Sequence, residues 1–189
     1  MNVLLVGAGG HAKAVYEAVV ATGDLVTAYA DVRPAGWLAA RHWVDDQAAD
    51  GEEPDTAVVI GMGGATPESL RSRLAVLDRY VQKARVAPTV MHRTACVSPT
   101  AGLGPGVTVL AGAVVQPSAE IGRGAIVNTR AVVEHDSTIG AGSHVAPGAV
   151  VLGDCVIGEC VMIGAGAVVL PASSVPDDTL IPALSRYPR

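Results

Sequence analysis

From Met91 onward the chain repeats with a period of six. With hexads begun at residue 91 and at every sixth residue to 169, the first position reads Met, Val, Leu, Val, Val, Ile, Val, Val, Ile, Val, Val, Ile, Ile, Val. In a chain about half apolar, such a run arises by chance less than about once in ten thousand times. The fifth position is always Ala, Ser, Cys or Val, Gly recurs at positions two and four, and no insertion breaks the frame. This is the hexapeptide solenoid pattern. Each hexad is a short strand and a turn, and three of them, about 18 residues, close a triangular coil whose first and fifth positions point inward. Coils stack at about the 4.8 Å inter-strand spacing, so the ladder satisfies the backbone. Fourteen hexads predict a little under five coils. A β-sandwich would instead turn every ~8–12 residues and alternate with period two.

Before residue 88 the pattern differs. "NVLLVG" is an apolar run ended by glycine, as in a buried parallel strand. "HAKAVYEAVVATG" has helical spacing at Ala14, Ala18 and Val19, with Gly23 as a stop. "LVTAYAD" and "TAVVIGMG" read as further strands. "TPESLRSRLAVLDRYVQK" opens a helix with Thr66 as N-cap, Pro67 in first position and Glu68 in the first turn. "ARVAPTV" is expected to close a four-stranded unit. The alternation predicts a parallel sheet with helices on it. The expected organisation is a small Rossmann-like parallel α/β domain over 1–88, then an all-β parallel helix over 89–189.

One column of the solenoid is irregular. His135 is third in its hexad, and residues 18 apart in that column are Pro99, Pro117, His135, Gly153 and Pro171. The other members form turns, which places the column at a corner of restricted or unusual φ. A break of this kind in an otherwise consistent pattern marks a functional candidate. Asp136 follows directly; a carboxylate beside an imidazole fixes its tautomer and favours its charged form, which suits a general base near neutral pH. His144 lies half a coil away at another part of the triangle, within reach of His135 only across a subunit interface. His92 is in yet another column. A zinc site of the hexapeptide carbonic-anhydrase kind needs two histidines about five residues apart on one chain, and that spacing is absent, so no metal is expected.

"GAGGH" (Gly7 to His11) joins the first strand to the first helix, where a tight turn directs backbone N–H groups and the helix dipole toward a phosphate. Gly7-x-Gly9-x-x-Ala12, with Asp31 about 20 residues on, imitates a dinucleotide fingerprint. Fewer than 90 residues is half of what two mononucleotide units need, so one nucleotide fits better. Asp31 is placed to hold a ribose or base edge, and "GMGG" at 61–64 to line the same crevice. The alternative, glycines serving only close strand–helix packing, stays open here.

Composition narrows the class. The net charge of −5 argues against nucleic acid and anionic membranes as partners. Cys96, Cys155 and Cys160 are odd in number and lack CxxC spacing, as expected of free thiols in a reducing compartment. No stretch has the length of a signal peptide or membrane span, so a cytoplasmic protein is expected.

"GAGGHAKAV", "IGMGG", "IVNTRAVVEHDSTIGAGSHVAPGAVVLGDCVIG" and "VPDDTL" together resemble one family, the nucleotide-sugar acetyltransferases of the sialic-acid O-acetyltransferase and bacillosamine/perosamine N-acetyltransferase type, which are hexapeptide-repeat acyltransferases. The resemblance implies a left-handed parallel β-helix, a homotrimer with active sites between neighbouring prisms, and acetyl-CoA as co-substrate without a metal. It implies His135 as base, Asp136 as its orienting partner, and His144, Gly153 and Ala165 as acetyl-CoA contacts, with the Gly153 N–H facing the thioester oxygen. Gly9, Gly10, His11, Asp31, Gly63 and Asn128 match contacts to the nucleotide sugar. After "GAGAVVLP" the chain is about one coil shorter than its relatives, and Pro182-Ala183 lacks the glycine of their exit motif. The expected activity is N-acetylation of a nucleotide-linked amino sugar, of the 4-amino-4,6-dideoxy kind. The alternatives are O-acetylation of a sugar such as sialic acid, and a non-catalytic nucleotide-sugar-binding scaffold.

Overall fold

A computed structural model describes residues 1–45 and 47–188. Its first part holds β1 (Asn2–Val6), α1 (Gly10–Ala21), β2 (Leu25–Ala30), β3 (Arg41–Trp43), β4 (Ala57–Ile60) and α2 (Pro67–Gln82). The four strands are parallel in the order β3-β2-β1-β4. Strand β1 is apolar throughout its interior because helices cover both sheet faces. Val3 and Leu5 pack with Ala12, Val15, Ala18 and Val19 of α1. Leu4 and Val6 face the other way, onto Leu70, Leu74, Leu77 and Tyr80 of α2. The α1 stripe therefore runs through Ala12 and Val15; Ala14, expected in it, is only partly buried. Gly23 ends that helix at φ +84, and Thr66 caps α2 through a reciprocal bond pair with Ser69.

The fourth strand is not the expected one. Residues 84–90 form no regular strand before Val90; they meet β4 through the Val58 N–H to Val86 carbonyl bond. Ala84 has φ +58, and Pro88 supplies no N–H, so a straight ladder is interrupted. The fourth strand is instead β3, three residues long and at the opposite edge, beside β2.

The second part is a parallel β-solenoid. Among the described residues it has seventeen two-residue strands, from Val90–Met91 to Arg186–Tyr187, in sheets of five, six and six. Every rung pairs residues 18 apart, as in Ile126 with His144 and His144 with Met162. First and fifth positions form one continuous core, from Val107 to Ile181. The frame runs on through Val175, Ile181 and Tyr187, giving more coils than the fourteen hexads predict. The "VPDDTL" segment belongs to the added coil: Asp177 accepts the Glu159 N–H, and Asp178 pairs with Arg71 of α2 at 2.6 Å.

The unusual backbone of each corner falls on the fourth hexad position, not the third. From Gly106 to Leu184 these residues all have φ between +52 and +69. Gly106, Gly124 and Gly142 lie under α2: a Cβ on Gly124 would stand 2.7 Å from Leu77, and one on Gly142 3.1 Å from Leu74. Ser118, Asp136, Asp154 and Ala172 occupy a second corner. Helix α2 is thus packed between the sheet and the prism. Its Arg73 is fully buried, donating from Nε to the Met62 carbonyl at 2.8 Å and from Nη1 to the Gly124 carbonyl. Burial lowers its pKa to about 10.

No helix among the described residues is long and apolar enough to cross a membrane. All three cysteines carry free thiols.

Candidate active site

His135 stands at the second corner. The left-handed twist at Asp136 (φ +61) folds its carboxylate back onto the preceding ring, and Oδ2 lies 2.7 Å from Nδ1. Asp tolerates this conformation better than most residues do. The His135 pKa is raised, first by the Asp136 hydrogen bond and then by nearby carboxylates, burial opposing. With Nδ1 so engaged, Nε2 is the nitrogen left for chemistry. The imidazole lies over Gly153 of the next coil, where a Cβ would come within 2.7 Å of Cε1 and 2.8 Å of Nε2. An open groove of about 420 Å³, lined by Leu152, Gly153, Asp154 and Pro171 among others, runs past the ring. The His135 side chain is 60% exposed, and among the described residues no helix packs on its corner.

A second site lies at the carboxyl ends of β1, β2 and β4, the crevice where open α/β sheets bind ligands. It measures about 290 Å³ and is lined by Val6, Gly7, Asp31, Val32, Asp45 and Met62 among others. Its glycines divide into two kinds. Gly7 (φ +92) allows close packing on Met62, Gly61 on the Gly7 carbonyl, Gly63 on His11 and Gly64 on Leu70. Around Gly9 and Gly10 there is open space, so close packing does not account for those two. Gly9 leads into α1 without a side-chain cap, which leaves the first helical amides facing outward. Asp31 is occupied within the loop: Oδ2 accepts the Ala8 N–H at 2.8 Å and Oδ1 the Arg33 N–H at 3.1 Å. Trp37 completes the brace, donating from Nε1 to the Ala8 carbonyl at 3.0 Å.

His11, Asn128 and His144 meet at the seam between sheet and prism. His144 is 6% exposed. Its Nδ1–H donates to the Gly64 carbonyl at 2.8 Å, and its Nε2 accepts from the Asn128 amide at 2.9 Å. Asn128 in turn accepts the Thr129 N–H at 2.7 Å. The His11 ring lies 6.2 Å from that of His144. Burial, with His144 and Arg73 nearby, lowers the His11 pKa to about 4, and burial lowers that of His144. His135 and His144 do not meet within the chain, in line with their half-coil separation. Ala165 is exposed at the third corner, three residues past Met162, which pairs with His144 in the ladder. Trp37 and Arg73 were not foreseen from sequence. Arg73 had a visible signal, a charge within the Leu70, Leu74, Leu77 stripe; Trp37 had none, because its partner is 29 residues away.

Comparison with known proteins agrees with this architecture. The family model described as bacterial transferase hexapeptide (six repeats) matches residues 136–171. No curated protein matches the chain. Among solved structures, PerB from Caulobacter crescentus, in complex with CoA and GDP-perosamine, is 32% identical, with a TM-score of 0.90 over 100% of this chain and 89% of its own. The acetyltransferase domain of PglB from Neisseria gonorrhoeae FA1090, in complex with acetyl coenzyme A, is 30% identical, with a TM-score of 0.88 over 96% of this chain and 88% of its own. Likeness to these acetyltransferases over nearly the whole chain, with the hexapeptide match, makes the chain an acyltransferase. The chain belongs to the nucleotide-sugar acetyltransferase family of hexapeptide-repeat proteins, the group that holds PerB and PglB.

Proposed function

We propose that the chain transfers the acetyl group of acetyl-CoA to the amino group of a nucleotide-linked sugar, with His135 as general base. The observation that carries this reading is the His135–Asp136 pair held over Gly153 beside an open groove. The bound ligands of PerB and PglB support the two substrate classes. The nucleotide diphosphate sits at the Gly9–Gly10 amides and the His11 end of α1, in the crevice braced by Asp31, with Gly63 and Asn128 toward the sugar. Acetyl-CoA runs along the prism past Gly153 and Ala165. A homotrimer supplies the second wall of the groove, since the corner that bears His135 is open in the single chain.

The chemistry follows from the geometry. His135 Nε2 takes a proton from the amine as nitrogen attacks the thioester carbonyl, and Asp136 steadies the imidazolium that forms. Among the described residues no intrachain acceptor takes the Gly153 N–H, which stays free to meet the oxyanion. The C–S bond then breaks, and the proton passes to the departing thiolate. Positioning contributes most of the rate, because an amine and a thioester are already reactive partners.

The test is thiol release from acetyl-CoA with a panel of nucleotide-linked amino and hydroxy sugars. Release with the amino sugars alone is expected. Release only with hydroxyl acceptors would make the chain an O-acetyltransferase, and none with any acceptor would leave a binding scaffold.

A further inference from the structure

The nucleotide crevice has an end that its glycine turn does not use. Gly9 and Gly10 lie in the turn after β1, Asp31 directly follows β2, and Asp45 stands two residues beyond β3. The order β3-β2-β1 puts Asp45 two strands away from the turn, about 10 Å at the usual strand spacing. That is the span of a ribose between a diphosphate and its base. The crevice of about 290 Å³ is apolar along this path: Val6, Ala30, Met62 and Val76 line it, and Val32, 78% exposed, stands at its rim. Such a slot takes a flat ring.

Two carboxylates line the slot, and they are engaged differently. Asp31 commits one oxygen to the Ala8 N–H and the other to the Arg33 N–H. Asp45 commits Oδ1 alone, which accepts the Ala48 N–H at 2.6 Å; among the described residues Oδ2 has no partner. The strand that carries Asp45 is tied to the slot. The Asp31 N–H donates to the Trp43 carbonyl at 3.0 Å, His42 Nε2 donates to the Asp31 carbonyl at 2.8 Å, and the His42 ring stacks on Tyr29. An ionised carboxylate only accepts hydrogen bonds, and its two oxygens accept best from two donors side by side. Guanine is the nucleobase with two adjacent N–H donors on one edge, N1–H and the 2-amino group. Uracil and thymine present a single N–H between two carbonyls, which a carboxylate repels.

We infer that the crevice selects a guanine nucleotide and that Asp45 reads the base. The inference rests on the function proposed above and names the carrier of its sugar. The experiment is calorimetric titration of the full chain, wild type and Asp45→Asn, with GDP, IDP, UDP and dTDP. IDP is GDP without the 2-amino group. Asparagine still accepts the Ala48 N–H but turns one donor toward the base. Wild type should bind GDP at least about tenfold more tightly than the other three, the worth of a hydrogen bond to a charged group. Asp45→Asn should bring GDP and IDP within about twofold of each other. Equal affinity of wild type for GDP and IDP, a wild-type preference for UDP or dTDP, or a preference for GDP over IDP that survives in Asp45→Asn overturns the inference. So does an equal loss for all four nucleotides in the variant, which would put Asp45 on the ribose. Any of these results leaves the nucleotide-sugar reading standing, whereas wild type that binds none of the four removes both.

Discussion

As the proposed base, the His135 imidazole needs one nitrogen held and the other kept clear, and two neighbours meet that need. Asp136 holds Nδ1, while Gly153 leaves room for the ring. His135→Ala should lower kcat by on the order of 10²–10⁴, measured by thiol release, with unfolding temperature unchanged. Gly153→Ala should leave the fold intact and lower kcat by about 10²-fold, since a methyl 2.7 Å from Cε1 displaces the ring. The pH profile has a definite sign. A His135 base must be neutral and its pKa is raised, so the acid limb of kcat/KM is expected above the ordinary 6.5 of histidine. Asp136→Asn should shift that limb down and also lower the plateau, because the tautomer is no longer fixed; stopped-time assays from pH 5 to 9 would show both. The sequence singles out His135 because it breaks a column of turn-formers. The left-handed position beside it was not, because Asp, Ser, Arg and Gly all occupy it and no residue type marks it.

At the scale of elements, the prism was readable from its period and the second helix from its cap. The edge strand β3 was not: three residues, one of them Arg and one His, give no periodicity to read. The contacts of α2 were also hidden, since the glycines beneath it look like ordinary turn residues until the helix is in place. Two of them separate turn strain from helix packing. Gly124 and Gly148 have φ +64 and +67, but only Gly124 has a helix above it. Replacing Gly148 by Ala should cost about 1 kcal/mol through backbone strain. Replacing Gly124 by Ala should cost about 1–3 kcal/mol more through overpacking against Leu77 and Leu74. Paired denaturant titrations would read the difference.

At the scale of the whole molecule, sheet and prism share a seam that buries two imidazoles and a guanidinium. No local pattern announced it, since Gly64 and His144 are 80 residues apart. The seam should loosen in acid. His11 has its pKa lowered from 6.5 to about 4, and that of His144 is lowered too. Their contribution is complete above pH 6.5, where both states are neutral, and is lost as pH falls toward 4, because the unfolded chain takes up protons first. Denaturation midpoints should therefore fall from pH 7 to pH 5, and less so in a His11→Leu variant. The 18-residue rung spacing also limits how this half of the chain can change in length. An insertion of one or two residues carried through the ladder would take the first and fifth positions of every later hexad out of the interior. The gain or loss of a whole coil would leave each column aligned and move only the far end along the axis. Length here should vary among relatives in steps of a full coil, and His135 should keep its height above α2 only when such steps fall beyond it.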